Sequence, residues 1–465
     1  MIMKGTAMLT KNQAYHFIGI GGIGVSAIAR VLHQKGVRLQ GSDVRESQLT
    51  TAVRDLGIDV TIGHDASNLG DADVVVYSTA VPTHNVERIA AQERGIPLAH
   101  RSDLLGLCIA DHESIGVTGT HGKGTVSAMI THVLKTMNTD PTFIIGGILN
   151  NYGTNARAGA GRFAIAEVDE SDKSHLNLRP NHVVVNNLEV DHLNFYADHG
   201  EIVSTMGTFI NQNDALQTVA LNAGDAGCRQ LSKIADGKRI LTFAADGESE
   251  ADYTATDILD EGAHVSFTAH CKGEIMGRVT LGVPGNYNAD NALAAMTILH
   301  GALEIPFEQI AAALSTYQGL ENRFTVRHAE GITIVKDYIS HPTGMRRVLE
   351  SARKMPHGNI WCVFKPYRFT LMHYHGPEYA EAFRGADEVV ITKMYAAEEK
   401  PIDGIDTPWF CDVLTKAGNR VHYVPENDDV IGYLDPKITK GDMVIFFGGD
   451  DFFQMADAWC ESRAQ

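Results

Sequence analysis

The 465-residue sequence predicts an α/β protein built as three successive domains. Three observations carry that reading. Short β-branched runs alternate with stretches of helical apolar spacing along the whole chain. Glycine-rich turns at 19–24 and 116–124 sit where a strand hands over to a helix. Polar or acidic residues also collect just after successive strands, which is the ligand edge of an open parallel sheet.

Taken in order, Tyr15-His-Phe-Ile reads as a strand that enters Gly19, Gly21, Gly22 and Gly24, followed by a helix through Ala27 to His33. A second strand, Val37 to Gln40, precedes Gly41-Ser42-Asp43. That places Asp43 about twenty residues after the turn, where a dinucleotide-type fold meets a ribose hydroxyl. Val74-Val-Val-Tyr77 then ends in Ser78-Thr79, and Gly95-Ile-Pro97 continues the alternation. Residues 1–110 are therefore expected to form a Rossmann-like domain. Taken alone, this turn also fits simple helix-on-strand packing or a nicotinamide-dependent oxidoreductase.

Residues 111–322 are expected to form a central P-loop domain. Ser114-Ile-Gly-Val-Thr118 is β-branched, Gly116, Gly119, Gly122 and Gly124 surround Lys123, and Val126, Met129, Ile130, Val133, Leu134 and Met137 have helical spacing. Backbone N–H groups and a helix N-terminus cradle phosphate, the Lys charge meets the outer phosphates, and a hydroxyl reaches Mg²⁺. Two positions depart from the usual P-loop pattern: Val117 stands at its first Gly, and Gly124 replaces the Ser/Thr after the Lys, with Thr125 one step later.

Arg162 to Ala166 reads as a strand ending in Glu167-Val-Asp-Glu-Ser-Asp172, and His182 to Val185 as one ending in Asn186-Asn-Leu-Glu-Val-Asp-His192. Two acidic strand ends downstream of a phosphate loop point to a metal site. Their oxygen donors suit Mg²⁺ better than zinc. Gly285-Asn-Tyr-Asn288-Ala-Asp-Asn291 opens another helix, and Gly319-Leu-Glu-Asn-Arg323-Phe makes a hinge.

Residues 323–465 are expected to form a second Rossmann-like domain. Strands at Ile332 to Val335, Asn359 to Phe364, Ala386 to Thr392 and Asp442 to Phe447 end in polar segments such as Lys336-Asp-Tyr-Ile-Ser-His-Pro342 and Lys365-Pro-Tyr-Arg-Phe369. A net charge of −18 argues against nucleic-acid or anionic-membrane partners. Six scattered cysteines without a C-x-x-C pair read as reduced thiols. Met1 to Gln13 is polar, unlike a signal peptide, and no apolar run reaches membrane-spanning length. These features together lead us to expect a cytoplasmic protein.

The order of motifs resembles the Mur ligases over nearly the whole length, closest to the alanine-adding branch. The match runs through Gly-Ile-Gly-Gly-Ile-Gly at 19–24, Gly-Thr-His-Gly-Lys at 119–123, Gly-Thr-Asn-Ala-Arg at 153–157 and Glu-Val-Asp-Glu-Ser-Asp at 167–172. It continues with Asp191-His192, Asn288, Asn291, Arg323-Phe324 and Asp337-Tyr338. The resemblance implies an ATP-dependent, ADP-forming amide ligase that joins an amino acid or amine to the carboxylate of a UDP-N-acetylmuramate-like substrate through an acyl phosphate. Its partners would be a nucleotide-sugar carboxylate and an amino acid, in a monomer or homodimer.

By this resemblance Lys123, Glu167 and His192 are catalytic, and Thr125, Glu167 and His192 hold Mg²⁺. ATP would be met by Gly119, Thr120, His121, Gly122, Lys123, Gly124, Thr125, Asn288, Asn291, Arg323 and Asp337. The UDP substrate would meet Gly21, Gly22, Gly24, Ser42, Asp43, Ser78, Thr79 and Arg157, and the acceptor Lys336, Tyr338, Ser340, His341, Lys365, Arg368 and Leu371.

The chain also departs from the family. Gly-Lys-Gly-Thr at 122–125 is closer to the loop of folylpolyglutamate synthases, in the same superfamily, and makes Thr125 the hydroxyl available to metal. In the acceptor segments Ser340 replaces a His and Leu371 an Arg, while Lys336 and Lys365 are new cations. Losing a bidentate Arg weakens recognition of a simple α-carboxylate and added lysines suit a more acidic acceptor, so we expect an amine that is not, or not only, L-alanine, against the alternative of neutral drift around an unchanged alanine pocket. The alternatives are a ligase of another pathway acting on another carboxylate, an oxidoreductase, or a non-catalytic nucleotide-binding protein.

Overall fold

A computed structural model of the chain describes residues 3, 4, 7–396 and 399–463, and the polar N-terminal stretch read above lies partly outside that range. Its architecture is α/β, with three large sheets in succession.

The first sheet places Tyr15–Ile18 at its centre, with Leu39–Asp43 and Asp59–Ile62 on one side and Val74–Tyr77 and Leu98–His100 on the other. All four pairings are parallel. The order reverses at the central strand, so its carboxyl end is a switch point, and the glycine turn opens there into the helix Ile23–Gln34. Gly41-Ser42-Asp43 lies inside the second strand rather than after it. A side chain on Gly41 would come within 2.7 Å of Phe17 O and Ile20 Cδ1, so this glycine serves close packing rather than a turn.

The second sheet has ten strands. Glu113–Thr118, which feeds the phosphate loop, is flanked by Phe163–Glu167 and His182–Val185, both parallel to it. These three strands are almost wholly buried, which explains why their interiors show no alternation of apolar and charged residues. The helix Lys123–Thr136 covers one face, packed with Tyr287–Leu299 in a core that includes Val126, Met129, Ile130, Leu293 and Met296. An antiparallel meander, Tyr253–Asp260, Val265–Cys271 and Glu274–Leu281, ends the sheet.

The third sheet runs Thr325–Ala329, Ile332–Asp337, Met443–Phe447, Ile360–Phe364, Glu388–Ile391 and Val421–Tyr423, parallel except at its first pair. Lys336 and Asp337 belong to the second of these strands and are buried, so the strand is two residues longer than hydrophobicity alone indicates. No helix among the described residues is long and apolar enough to cross a membrane. All six cysteines are free, and four are buried.

Candidate active site

The phosphate loop gets its shape from positive-φ glycines and from asparagines. Gly119 and Gly122 have φ of 128° and 81°. A Cβ on Gly122 would lie 2.3 Å from Asn186 Nδ2 and 2.5 Å from Asn291 Oδ1, so only glycine fits. The Thr120 N–H donates to Asn187 O (3.1 Å) and the His121 N–H to Asn187 Oδ1 (2.7 Å). Asn186 Nδ2 donates to His121 O (2.9 Å) and to Asn291 Oδ1 (3.1 Å), and Asn291 Nδ2 to Asn288 Oδ1 (2.9 Å). Asn288 and Asn291 are buried and tie their helix to the phosphate loop. Sequence reading quoted Asn186 and Asn187 but assigned them no role; two amides just after a buried strand were the available signal.

Lys123 Nζ donates to Glu170 Oε1 (2.9 Å) and Gly119 O (2.7 Å). Burial opposes its charge, but the Glu170, Asp169 and Glu167 carboxylates outweigh that and raise its pKa. Burial, helped by the neighbouring Asp169 carboxylate, pushes Glu170 up against the opposing pull of Lys123 and His192. Glu170, which sequence reading did not single out, also lies 3.8 Å from His192 Nε2. Glu167 stands apart from that pair, with its Oε2 accepting from the Gly146 N–H (2.7 Å). Gly124 packs beside Glu167, where a Cβ would lie 3.3 Å from the carboxylate and 3.2 Å from Leu320. Thr125 lines the same cavity.

That cavity, about 780 Å³, opens between the phosphate loop and the third sheet's domain. Lys123, Glu167 and Asn291 line it from one side, and Arg323, Asp337 and Thr343 from the other. Asp337 accepts from the Phe324 and Ile339 N–H groups (both 2.9 Å), lies 3.8 Å from Arg323, and has its pKa raised by burial. The Arg323 guanidinium also lies 5.7 Å from the Tyr338 ring centroid, and Tyr338 is exposed.

The acidic strand end also reaches the first domain. Asp169 pairs with Arg101 (2.7 Å), which with Lys123 holds it well below the usual carboxylate range against burial. Asp172 accepts from Thr79, whose hydroxyl also meets His100 Nε2 at 3.1 Å. Gly22 precedes the first helix, and Gly24 faces Arg101. Ser78 is half-buried next to Thr79. Arg157 turns outward to Asp140 (3.1 Å), while Asn155 Nδ2 reaches Ile23 O (3.3 Å). Asp43 Oδ2 accepts from the Gly21 N–H (2.9 Å) and so braces the glycine turn. Ser42 is fully buried, donates to Glu87 Oε2 (2.6 Å) and lies 3.1 Å from His64 Nδ1, so its side chain is engaged within the first domain.

The lysines that suggested an acidic acceptor are already neutralised. Lys336 is 3% exposed, and its Nζ meets both oxygens of Asp457 at 2.7 Å. Lys365 Nζ donates to Asp451 (2.5 Å). Leu371 is buried in the apolar core with Met372, Tyr379 and Phe410. Ser340 offers its carbonyl to the Tyr379 hydroxyl. Arg368 donates to Asn194 Oδ1 (3.3 Å), across the domain boundary. The His341 ring packs at a tilt against that of His121 with centroids 4.6 Å apart, and burial with the neighbouring histidines pushes its pKa down to about 3.

A glycine loop with a buried lysine, facing a second domain across a cavity, defines a nucleoside-triphosphate-dependent enzyme. Three family descriptions match in sequence order: Mur ligase family, catalytic domain, over residues 14–113; Mur ligase middle domain over 117–299; and Mur ligase, glutamate ligase domain, over 322–449. The UDP-N-acetylmuramate–L-alanine ligase of Syntrophotalea carbinolica is 39% identical over 98% of this chain and all of its own. That of Geotalea daltonii is 37% identical over 98% and 99%. The crystal structure of the UDP-N-acetylmuramate–alanine ligase of Thermotoga maritima superposes with a TM-score of 0.81 at 28% identity, covering 97% of this chain and 99% of that one.

The chain belongs to the Mur ligase family, ATP-dependent enzymes that form amide bonds. Membership sets aside the oxidoreductase and the non-catalytic alternatives. A non-alanine acceptor finds no support: the full-length relatives named above are L-alanine ligases, and the extra lysines are spent on Asp457 and Asp451.

Proposed function

We propose that the chain joins L-alanine to the carboxylate of UDP-N-acetylmuramate. The observation that carries this reading is the cavity in which Lys123 and Glu167 face Arg323 and Asp337 of the third domain. The substrate carboxylate oxygen attacks the γ-phosphorus, the bond to the bridging oxygen breaks, and ADP leaves. The alanine nitrogen then attacks the acyl carbon, loses a proton and expels phosphate.

In this reading Lys123 exchanges Glu170 for the outer phosphates, adding positive charge where the transferred group carries most negative charge. Gly119 to Thr125 cradle the phosphates, and Asn288, Asn291, Arg323 and Asp337 complete the ATP side. Gly21, Gly22, Gly24, Asp43, Ser78, Thr79 and Arg157 are proposed for the UDP side. Tyr338, His341 and Arg368 are proposed for the acceptor side.

The residues present also fit Mg²⁺. Glu170 Oε2 and His192 Nδ1 are buried with no hydrogen-bond partner, beside an oxygen-rich donor set. Glu167, Thr125 and His192 would hold the ion, which would supply charge neutralisation at the phosphates. The family's nucleotide and nucleotide-sugar substrates, the free cysteines and the absence of a spanning helix among the described residues favour a cytoplasmic setting.

The test is phosphate release with ATP, Mg²⁺ and UDP-N-acetylmuramate, supplying the proteinogenic amino acids one at a time. The highest kcat/KM is expected with L-alanine. A clear preference for another amino acid, or release independent of the sugar nucleotide, would overturn the reading.

A further inference from the structure

A second polar centre lies away from the Lys123 carboxylates, at the seam between the phosphate loop and the third domain. His121 Nε2 is 3.6 Å from Glu189 Oε2, and His341 Nδ1, which accepts from the Thr343 N–H (3.3 Å), is 3.8 Å from the same oxygen, so Nε2 is the nitrogen His341 has free for a ligand. One ligand atom from each of these residues lies within 4.8 Å of the other two. A separate observation points to a missing ligand: the Nε2 atoms of His121 and His341 are both buried without a hydrogen-bond partner. His341 itself is only 3% exposed. Orphaned buried polar atoms of this kind are costly and call for an occupant.

We propose that His121, Glu189 and His341 form a site for a divalent cation of the Zn²⁺ class that staples the phosphate loop to the third domain. Two imidazoles and a carboxylate make the nitrogen-rich set that zinc and its neighbours select, whereas Mg²⁺ prefers oxygen. Bonds of about 2.0–2.2 Å require an inward shift of roughly one ångström, and three protein ligands leave a further position open.

The ligands are held for that task. The His121 backbone is clamped by Asn186 and Asn187. The Glu189 N–H donates to Thr120 Oγ1 (2.9 Å), and Glu189 Oε2 accepts from the Thr343 hydroxyl (2.8 Å). His341 caps the helix Pro342–Ala352, and the His375 ring stands edge-on to it with centroids 4.6 Å apart. His375 Nε2 is in turn fixed 3.0 Å from Val190 O. Such outer contacts orient ligating groups and tune their affinity. The ammonium and carboxylates around Lys123 take no part, so this site is distinct from the one assigned to Mg²⁺, although His121 and Glu189 line the same cavity and His341 borders the acceptor side proposed above.

The test uses the full chain, stripped of metal with chelator and titrated with Co²⁺, whose visible d–d bands report nitrogen ligation in a low-coordinate site. One Co²⁺ per chain is expected, displaced by Zn²⁺ but not by Mg²⁺. His341→Gln and His121→Gln should each weaken binding about tenfold or more. The two substitutions lie on different elements, so a folding defect in one does not decide the outcome. Glu167→Gln should leave the bands intact. Zn²⁺ should raise the thermal midpoint of the unsubstituted chain and not that of His341→Gln. Absence of the bands, their persistence in both histidine variants, or their loss in Glu167→Gln would overturn the proposal. Because the readout is binding, it stands apart from the choice of acceptor.

Discussion

Replacing Asp457 by alanine tests whether Lys336 belongs to the acceptor site or to the fold. Lys336 Nζ is held by both Asp457 oxygens at 2.7 Å, and Arg327 approaches the same carboxylate at 3.4 Å. Lys336 is 4% exposed at its side chain and Asp457 31%, so removing the carboxylate strands a buried ammonium. Breaking a fully buried pair costs about 3–5 kcal/mol, and the partial exposure of Asp457 places this one near 2–3 kcal/mol. Lys336→Met removes the buried charge and leaves Asp457 with Arg327 and solvent, so a cost below about 1 kcal/mol is expected. Urea unfolding should show a large drop in midpoint for Asp457→Ala and a small one for Lys336→Met. Steady-state phosphate release should show the KM for L-alanine within about twofold of the unsubstituted enzyme in Lys336→Met. A tenfold rise in that KM, about 1.4 kcal/mol, with unchanged stability would refute the structural assignment and return Lys336 to the acceptor site.

Two further outcomes follow from other parts of the molecule. Burial pushes the His175 pKa down from 6.5 to about 4, so between those values the unfolded chain binds more protons and stability rises with pH. This contribution is complete above pH 6.5 and declines as pH falls towards 4, costing about 2 kcal/mol between pH 7.5 and 5 by that linkage. His175→Leu should flatten the fall in urea midpoint across that window, and an unchanged slope would contradict the account. Gly122→Ala forces a Cβ to 2.3 Å from Asn186 Nδ2 at a φ of 81°. A stability loss of about 1 kcal/mol from the backbone alone, and a fall in kcat of at least about a hundredfold as the loop is displaced, should both be measurable. Wild-type turnover would show that the loop tolerates another shape.

Much of the architecture was legible because buried parallel strands must be continuously apolar. Glu113–Thr118 and His182–Val185 stand out for that reason. Strand ends were harder to place. Leu39–Asp43 extends through Gly41, which sequence reading places just beyond the strand and packing uses as space, and Ile332–Asp337 keeps two charged residues because partners distant in sequence absorb them. Glu170 went unassigned within its acidic segment because nothing local distinguishes the acid that meets Lys123 from its neighbours.

Sequence by itself determined the α/β class, the phosphate loop and the family, since backbone conformation and burial leave local signatures in glycine placement and apolar spacing. Tertiary structure alone decided which charges are free. Lys336 and Asp457 are 121 positions apart and Lys365 and Asp451 86 apart, yet each pair closes. Ser42 is likewise drawn into the core by Glu87. Coulomb energy and desolvation depend on distance through space, and a chain met one residue at a time does not carry that distance.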